Sequence, residues 1–288
     1  MRRKFWLVNE YGEQQCLTDN NISFSEPEGL GLSELREYDQ TDPGFFEITD
    51  DKTEQPMPSG KLVFKRDAYK QYRDFMDWVA RAKELKFVYR PYGDIDYYMD
   101  VKLDLAEKRE LNGVRWLEID MKIAGLTPWY SRNRLVFEFV EAPKENFKRY
   151  DYIYPYRYGV SGTPGSLDFR IRGHYPGGVS LYAQGPIAAP VFTLANTDTK
   201  EVYGKLDLSA ITINEDEQLI YSSRARGSGV WRKKGEILTD LIDQVELYAG
   251  IPIFMRAPVD TPLTATMDVE NTIETQSTLY VDEYWKTR

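Results

Sequence analysis

One histidine and one cysteine set the first limit on the chemistry this chain can do. Cys16 alone can form no intrachain disulfide and no CxxC-type zinc site. A cysteine–histidine dyad or a serine–histidine–aspartate triad would have to recruit His174. That residue sits in Arg172-Gly173-His174-Tyr175-Pro176-Gly177-Gly178, which reads as a turn, where a histidine is ordinarily solvated. Carboxylates are plentiful, but a glycosidase needs two of them across a cleft with separated pKa values. No spacing here selects such a pair. Asp94 and Asp96, just ahead of a strand, read as solvated strand-end acids. Asp39, Asp42, Asp50 and Asp51 lie close in sequence without the alternate-position pattern of a calcium loop. They read as a solvated acidic segment. Gly159-Val160-Ser161-Gly162-Thr163-Pro164-Gly165 lacks the strand, helix and lysine of a phosphate loop, and Arg226-Gly227-Ser228-Gly229 reads as a hairpin tip. The residues therefore point to a chain with no catalytic, cofactor-binding or metal-binding set.

Composition agrees with a soluble, β-rich protein. The chain has 288 residues, 42% hydrophobic and 29% charged, enough to bury one large core or two ordinary ones. Twenty-one tyrosines favour strands and contact surfaces, because tyrosine offers an apolar body with a polar tip. No apolar run approaches the roughly 18 residues of a membrane span. The apolar stretch after Arg2-Arg3-Lys4 is cut short by Asn9 and Glu10, so it does not read as a signal peptide, and cytoplasmic synthesis is expected. Net charge is −9, and residues 19–54 hold eleven acids and two bases, so that segment alone carries it. No basic stripe is present to grip nucleic acid.

The elements follow from periodicity. Phe5–Val8 reads as a first strand. A long polar stretch, about 19–60, follows, with turn signals at Glu26-Pro27-Glu28-Gly29 and Thr41-Asp42-Pro43-Gly44. Only Phe45-Phe46-Glu47-Ile48 looks strand-like inside it. Tyr69, Tyr72, Phe75, Met76 and Val79 recur at spacings of three and four, predicting an amphipathic helix to about Glu84, with Asp67 as its cap. Tyr97-Met99-Val101-Leu103-Leu105 and Leu117-Ile119-Met121-Ile123 each alternate with polar residues and predict half-buried strands. A plain two-residue turn at Asn112-Gly113 would set Leu105 opposite Asp120. The parity therefore demands one extra residue, as a bulge or longer loop.

Leu135, Phe137 and Phe139 predict another strand. Glu141–Asn146 is the expected domain boundary, giving domains of residues 1–145 and 146–288. Beyond it short strands recur as in a β-sandwich: Val179–Tyr182, Val191–Leu194, Val202–Ile213, Gln218–Ser222, Ile251–Met255, Leu263–Val269 and Ser277–Tyr284. Residues 236–248 fit either a helix or a strand. Tyr150, Tyr152, Tyr154, Tyr156 and Tyr158 would share one face of an extended segment; with Pro155 among them they read as an edge strand between domains rather than a stacking surface.

Several of these stretches carry a family likeness. They are Gly60-Lys61-Leu62-Val63-Phe64, the helix, Leu85-Lys86-Phe87-Val88-Tyr89-Arg90-Pro91-Tyr92-Gly93, Tyr97-Tyr98-Met99-Asp100-Val101 and Leu126-Thr127-Pro128-Trp129-Tyr130. Their succession resembles the N-terminal domain of distal tail proteins from long, flexible-tailed phages of Gram-positive bacteria. Gly185-Pro186-Ile187-Ala188-Ala189-Pro190, Asn196-Thr197 and Leu219-Ile220-Tyr221-Ser222 are similar to the galectin-like second domain of the same family. The resemblance implies a mainly β fold, a split-barrel-like N-terminal domain with one helix followed by a galectin-like β-sandwich. It implies a virion structural protein rather than an enzyme, a homo-hexameric ring at the tail tip. Tail tube protein would stack above the ring and a tail-associated lysin or fibre protein would dock below. Tape measure protein and receptor-binding proteins complete the implied partners, with the second domains facing outward. DNA would pass through unbound, and no membrane is involved. In that frame residues 38–58 are expected to embrace a neighbouring subunit, with Tyr38, Asp39, Asp42, Phe45 and Phe46 at the contact. Trp231, followed by Arg232, Lys233 and Lys234, is the residue to probe for sugar contact. A carbohydrate-binding module is the second reading, and a cell-wall hydrolase the third.

Overall fold

The computed structural model describes residues 3–31, 34–91, 93, 95–138, 165–224, 226–269 and 276–287. The chain divides into two compact units, Met1–Ser131 with Tyr284–Arg288, and Arg132–Glu283. The C-terminal residues therefore return to the first unit, which no local pattern announces. The expected boundary at 145/146, the five-tyrosine run and most of the 159–165 loop lie outside the described residues.

The first unit holds β1 (Lys4–Asn9), β2 (Gln14–Cys16), β3 (Ile22–Glu28), β4 (Glu34–Asp42), β5 (Phe45–Thr53), β6 (Ser59–Phe64), α1 (Ala68–Arg81), β7 (Leu85–Arg90), β8 (Tyr97–Lys108), β9 (Leu117–Gly125) and the start of β10 (Trp129–Glu138). Antiparallel pairing runs β2-β1-β7-β8-β9-β6-β3. The sheet then closes on itself. The Leu17 amide donates to the Phe5 carbonyl, and the Phe24 amide on β3 donates to the Leu17 carbonyl, at 2.9 and 2.7 Å. Closure removes the free edges of an open sheet. Inside, Phe5 meets Phe24 edge-on at 5.1 Å and stacks with Phe87 at 5.7 Å, while Trp129 packs on Phe87 at 5.8 Å. Trp129 and Tyr130 open β10.

The helix forms for the expected reason. Phe75 is buried, and Tyr72, Met76 and Val79 pack partly buried on the same core, with Phe75 5.9 Å from Phe64 of β6. Burying one such ring contributes roughly 1.5–3 kcal/mol. Two details differ. The helix ends at Arg81, three residues early, where Ala82 turns to extended backbone. Asp67 precedes it in the left-handed region (φ 41°) and makes no side-chain cap bond. Its backbone geometry aims the carboxylate away from the free amides that a cap in the β region would reach.

Residues 19–60 are not the long loop that their polarity implies. They contain β3, then β4 and β5, whose antiparallel pairing makes a separate two-stranded ribbon, and the first residues of β6. The β8–β9 hairpin carries the extra residue that the parity demanded: Leu103 pairs with Ile123, Leu105 with Lys122, and Asp104 is left over. The bulge has a further effect. It turns Leu105 outward, whereas the alternation placed it inside, and it seats Ala106 opposite Met121.

The second unit holds the end of β10, then β11 (Ser166–Arg170), β12 (Tyr175–Gln184), β13 (Ile187–Ala188), β14 (Val191–Asn196), β15 (Val202–Asp207), β16 (Thr212–Ile213), β17 (Glu217–Ser222), β18 (Gly229–Lys234), β19 (Ile237–Asp240), β20 (Arg256–Ala257), β21 (Pro262–Asp268) and β22 (Gln276–Trp285, to Glu283). One sheet has β12-β17-β18-β19 in order with β22 beside β12, and a second has β11-β21-β14-β15. Leu181, Leu219, Tyr221, Val230 and Leu279 of the first share one core with Phe192, Leu194, Leu263 and Met267 of the second. This is a two-layer sandwich, as the strand spacing predicts. Residues 236–248 hold both β19 and a 3-10 turn at Ile242–Gln244.

Ile251–Met255 is no strand. The buried Tyr221 hydroxyl donates to the Ile253 carbonyl at 2.8 Å and accepts from the Met255 amide at 2.9 Å, so this apolar segment is held by that side chain and by the Lys205 amide of β15, which donates to the Pro252 carbonyl at 3.1 Å. Burial pushes the Tyr221 hydroxyl up to about 12, which keeps it a donor. Gly185 has its own reason. A Cβ there would lie 1.9 Å from the Asn214 carbonyl oxygen, so the backbones meet where no other residue fits.

Candidate assembly surfaces

The chemistry-bearing residues stay apart from any built site. Cys16 is half-buried on β2 in the first unit, and His174 is exposed in the bend ahead of β12 in the second. Among the described residues no group of three or more His, Cys, Asp or Glu side chains is placed to hold a metal. Asp96 is paired with Arg90, whose Nε and NH2 donate at 2.5 and 2.8 Å.

The ribbon of β4 and β5 gathers the residues expected at a subunit contact. Thr41-Asp42-Pro43-Gly44 makes the turn, with Gly44 at φ 87°, a conformation that favours glycine. Tyr38 pairs with Ile48, Asp39 with Glu47, Gln40 with Phe46 and Asp42 with Phe45. Directly opposite residues share a face. Tyr38, Ile48 and Phe46 therefore line one side, and Asp39, Glu47 and Phe45 the other. Tyr38, Phe45, Phe46 and Ile48 are 56, 69, 64 and 54% exposed. Two bulges, between Glu37 and Tyr38 and between Gln40 and Asp42, kink the strands. Asp50 forms an ion pair with Lys52 beside its cross-strand neighbour Glu37. A lone two-stranded ribbon is marginal in water. One that also exposes four large apolar side chains is better explained by a surface that covers it.

Trp231 lies in mid-strand on β18, between Ile220 of β17 and Asp240 of the edge strand β19. Its ring lies on Gly229, where a Cβ would approach the indole to 2.2 Å. It is half-buried, and Lys234 beside it is paired with Asp216 at 2.8 Å. Two other exposed apolar groups have no signature in the sequence pattern. One is Ile237 and Leu238 on the edge strand. The other is Leu111, Val114 and Trp116 in the loop between β8 and β9, beside Tyr69.

The described residues thus make a barrel-like unit with one helix and a separate pair of strands, and a two-layer sandwich in the same chain. Residues 4–125 match the family model of the distal tail protein N-terminal domain. Comparison with curated protein sequences gives no match. Among solved structures, a chain of the phage P2 baseplate in its activated conformation with calcium is similar over 100% of both chains, at 14% identity and a TM-score of 0.71. The same baseplate with strontium gives 13% identity and 0.71 over 100% of both chains. The Dit protein of SPP1, described as a paradigm of the hub adsorption apparatus of Gram-positive infecting phages, gives 10% identity and 0.56 over 97% of this chain and 98% of that one. Identities this low speak for the fold, and they extend it over the whole chain.

Proposed function

We propose that the protein forms a homo-hexameric ring at the tip of a phage tail, joining the tail tube protein to a tail-associated lysin or fibre protein. The tape measure protein and receptor-binding proteins are further partners in this reading. The first unit supplies the ring, and the second, read as a galectin-like sandwich, serves as the platform for receptor-binding proteins. Assembly takes place in the host cytoplasm, DNA passes through without being held, and the chain itself performs no catalysis.

The observation that carries this reading is the β4–β5 ribbon. Among the described residues it pairs with no other strand, and it leaves Tyr38, Phe45, Phe46 and Ile48 exposed. Such a ribbon gains its stability from a neighbour, and a clasp between successive subunits is a heterologous contact of the kind that closes rings. The test is negative-stain imaging of the purified chain, with and without residues 34–53 replaced by a short glycine–serine linker. Six-fold rings that are lost with the ribbon support the reading, and rings that survive its removal contradict the clasp.

A second reading, a carbohydrate-binding module, has Trp231 as its one observation. The indole is half-buried against Gly229 and faces Ile220 and Asp240 across the strands. A glycan array probed with the intact protein and with Trp231→Ala decides it.

A further inference from the structure

We infer that the ribbon of one copy docks on a basic, apolar patch of the next copy, formed by the start of α1 and the loop joining β8 to β9. This rests on the ring reading and names the surface that receives the clasp. The patch is a fixed structure. The Tyr69 hydroxyl on α1 donates to Glu110 at 2.8 Å, tying helix to loop. Asn112 organises the loop: its Oδ1 accepts from the Val114 and Trp116 amides at 3.1 and 3.0 Å, and its Nδ2 donates to Glu118 at 3.0 Å. Lys108 Nζ stands 5.0 Å from the Tyr69 ring centroid, and Lys65 Nζ 5.9 Å from that of Trp116. Held in this way, Tyr69, Leu111, Val114 and Trp116 are 44, 38, 63 and 39% exposed.

Charge then selects the occupant. Residues 65–70 and 107–116 hold six bases and three acids, net +3, while ribbon residues 34–53 hold seven acids and two bases, net −5. Each surface is apolar with a charged surround, and the surrounds are opposite in sign. That combination drives association through the apolar contact and sets its register through the charges. The ribbon does not cover the patch of its own copy, since both remain exposed. Because ribbon and patch are different surfaces of one chain, the contact repeats from copy to copy, as a ring requires.

The test uses the full-length chain in four forms: wild type, Asp39→Lys with Glu47→Lys, Lys65→Glu with Lys108→Glu, and all four changes together. Mass photometry over a dilution series gives the concentration at which half the chain is assembled. Each pair of reversals is expected to raise it at least about tenfold, and the four-fold variant to recover most of the loss. Asp39, Glu47 and Lys108 are exposed and Lys65 is half-buried, so folding is verified for each form by circular dichroism. The patch variant assembling at the wild-type concentration overturns the inference. If removing residues 34–53 abolishes assembly in that case, the ring reading stands and the ribbon docks on a different surface of the next copy. A wild type that stays monomeric at every concentration overturns both.

Discussion

Tyr38 and Ile48 stand directly opposite one another in the β4–β5 ribbon, and each leaves more than half of its surface exposed. A cross-strand apolar pair of this kind contributes about 0.2–1 kcal/mol within its own sheet. The larger return comes when another surface covers it. Replacing Tyr38 and Ile48 with serine should therefore change the thermal stability of the unassembled chain by no more than about 0.5–1 kcal/mol. The same change should sharply raise the concentration needed for assembly. Thermal melts beside mass photometry separate the two; equal losses in both would mean that the pair is structural.

Asp282 is a different kind of residue. It is buried on β22, and Arg132 clasps it with Nε to Oδ1 at 2.7 Å and NH2 to Oδ2 at 3.0 Å, while Arg224 Nε lies 2.7 Å from Oδ2. One carboxylate thus pairs with two guanidinium groups that are themselves largely out of water. Asp282→Asn removes the buried anion that both guanidinium groups bond, and the expected cost is about 3–5 kcal/mol. Urea unfolding followed by tryptophan fluorescence measures it. A change below 1 kcal/mol, on the order of ordinary surface substitutions, would show that the arginines find water instead.

Asp207 gives a pH signature. Burial opposes its ionisation, and bonds from Tyr248 (2.6 Å), Lys205 (2.9 Å) and the Ser209 amide (3.0 Å) overcome that and hold its carboxyl well below the usual carboxylate range. A depressed folded-state pKa adds stability that is complete above the unfolded value near 3.9 and is lost as the pH falls toward the folded one. Asp207→Asn should thus be less stable than wild type at neutral pH, by about 2 kcal/mol, and the gap should narrow below about pH 4. Denaturant midpoints at pH 7 and pH 3 test this. A gap that widens in acid would reverse the assignment.

Gly185 tests the fit at the sandwich. A Cβ would fall 1.9 Å from the Asn214 carbonyl oxygen, which is backbone and cannot step aside. Gly185→Ala should cost about 1–3 kcal/mol, as overpacking does, without altering the ribbon or its assembly. A melt unchanged from wild type would show that the loop has room to move.

The sequence announced what the cores dictate. Met99, Val101, Ile119 and Met121 alternate because one side of each strand is buried, and the mismatch of Leu105 with Asp120 was enough to require the bulge that Asp104 provides. The ribbon was legible only in part. The Thr41–Gly44 turn and the Phe45–Ile48 strand could be read, but β4 could not, because a two-stranded ribbon exposed on both faces has no buried side to impose an apolar period. Ile251–Met255 failed in the opposite sense: apolar and with two isoleucines, it looks like a strand, yet the Tyr221 hydroxyl takes the Ile253 carbonyl and the Met255 amide. The patch of residues 65–70 and 107–116 was invisible because its four apolar residues come from a helix and a loop that only the fold brings together.

The central claim is the ring. Sedimentation-velocity ultracentrifugation of the 33.6 kDa chain, followed from dilute to concentrated solution, addresses it most directly. The account predicts one species of six copies that disappears when residues 34–53 are removed. A chain that remains a monomer across the whole range, or forms the same assembly without its ribbon, would contradict it.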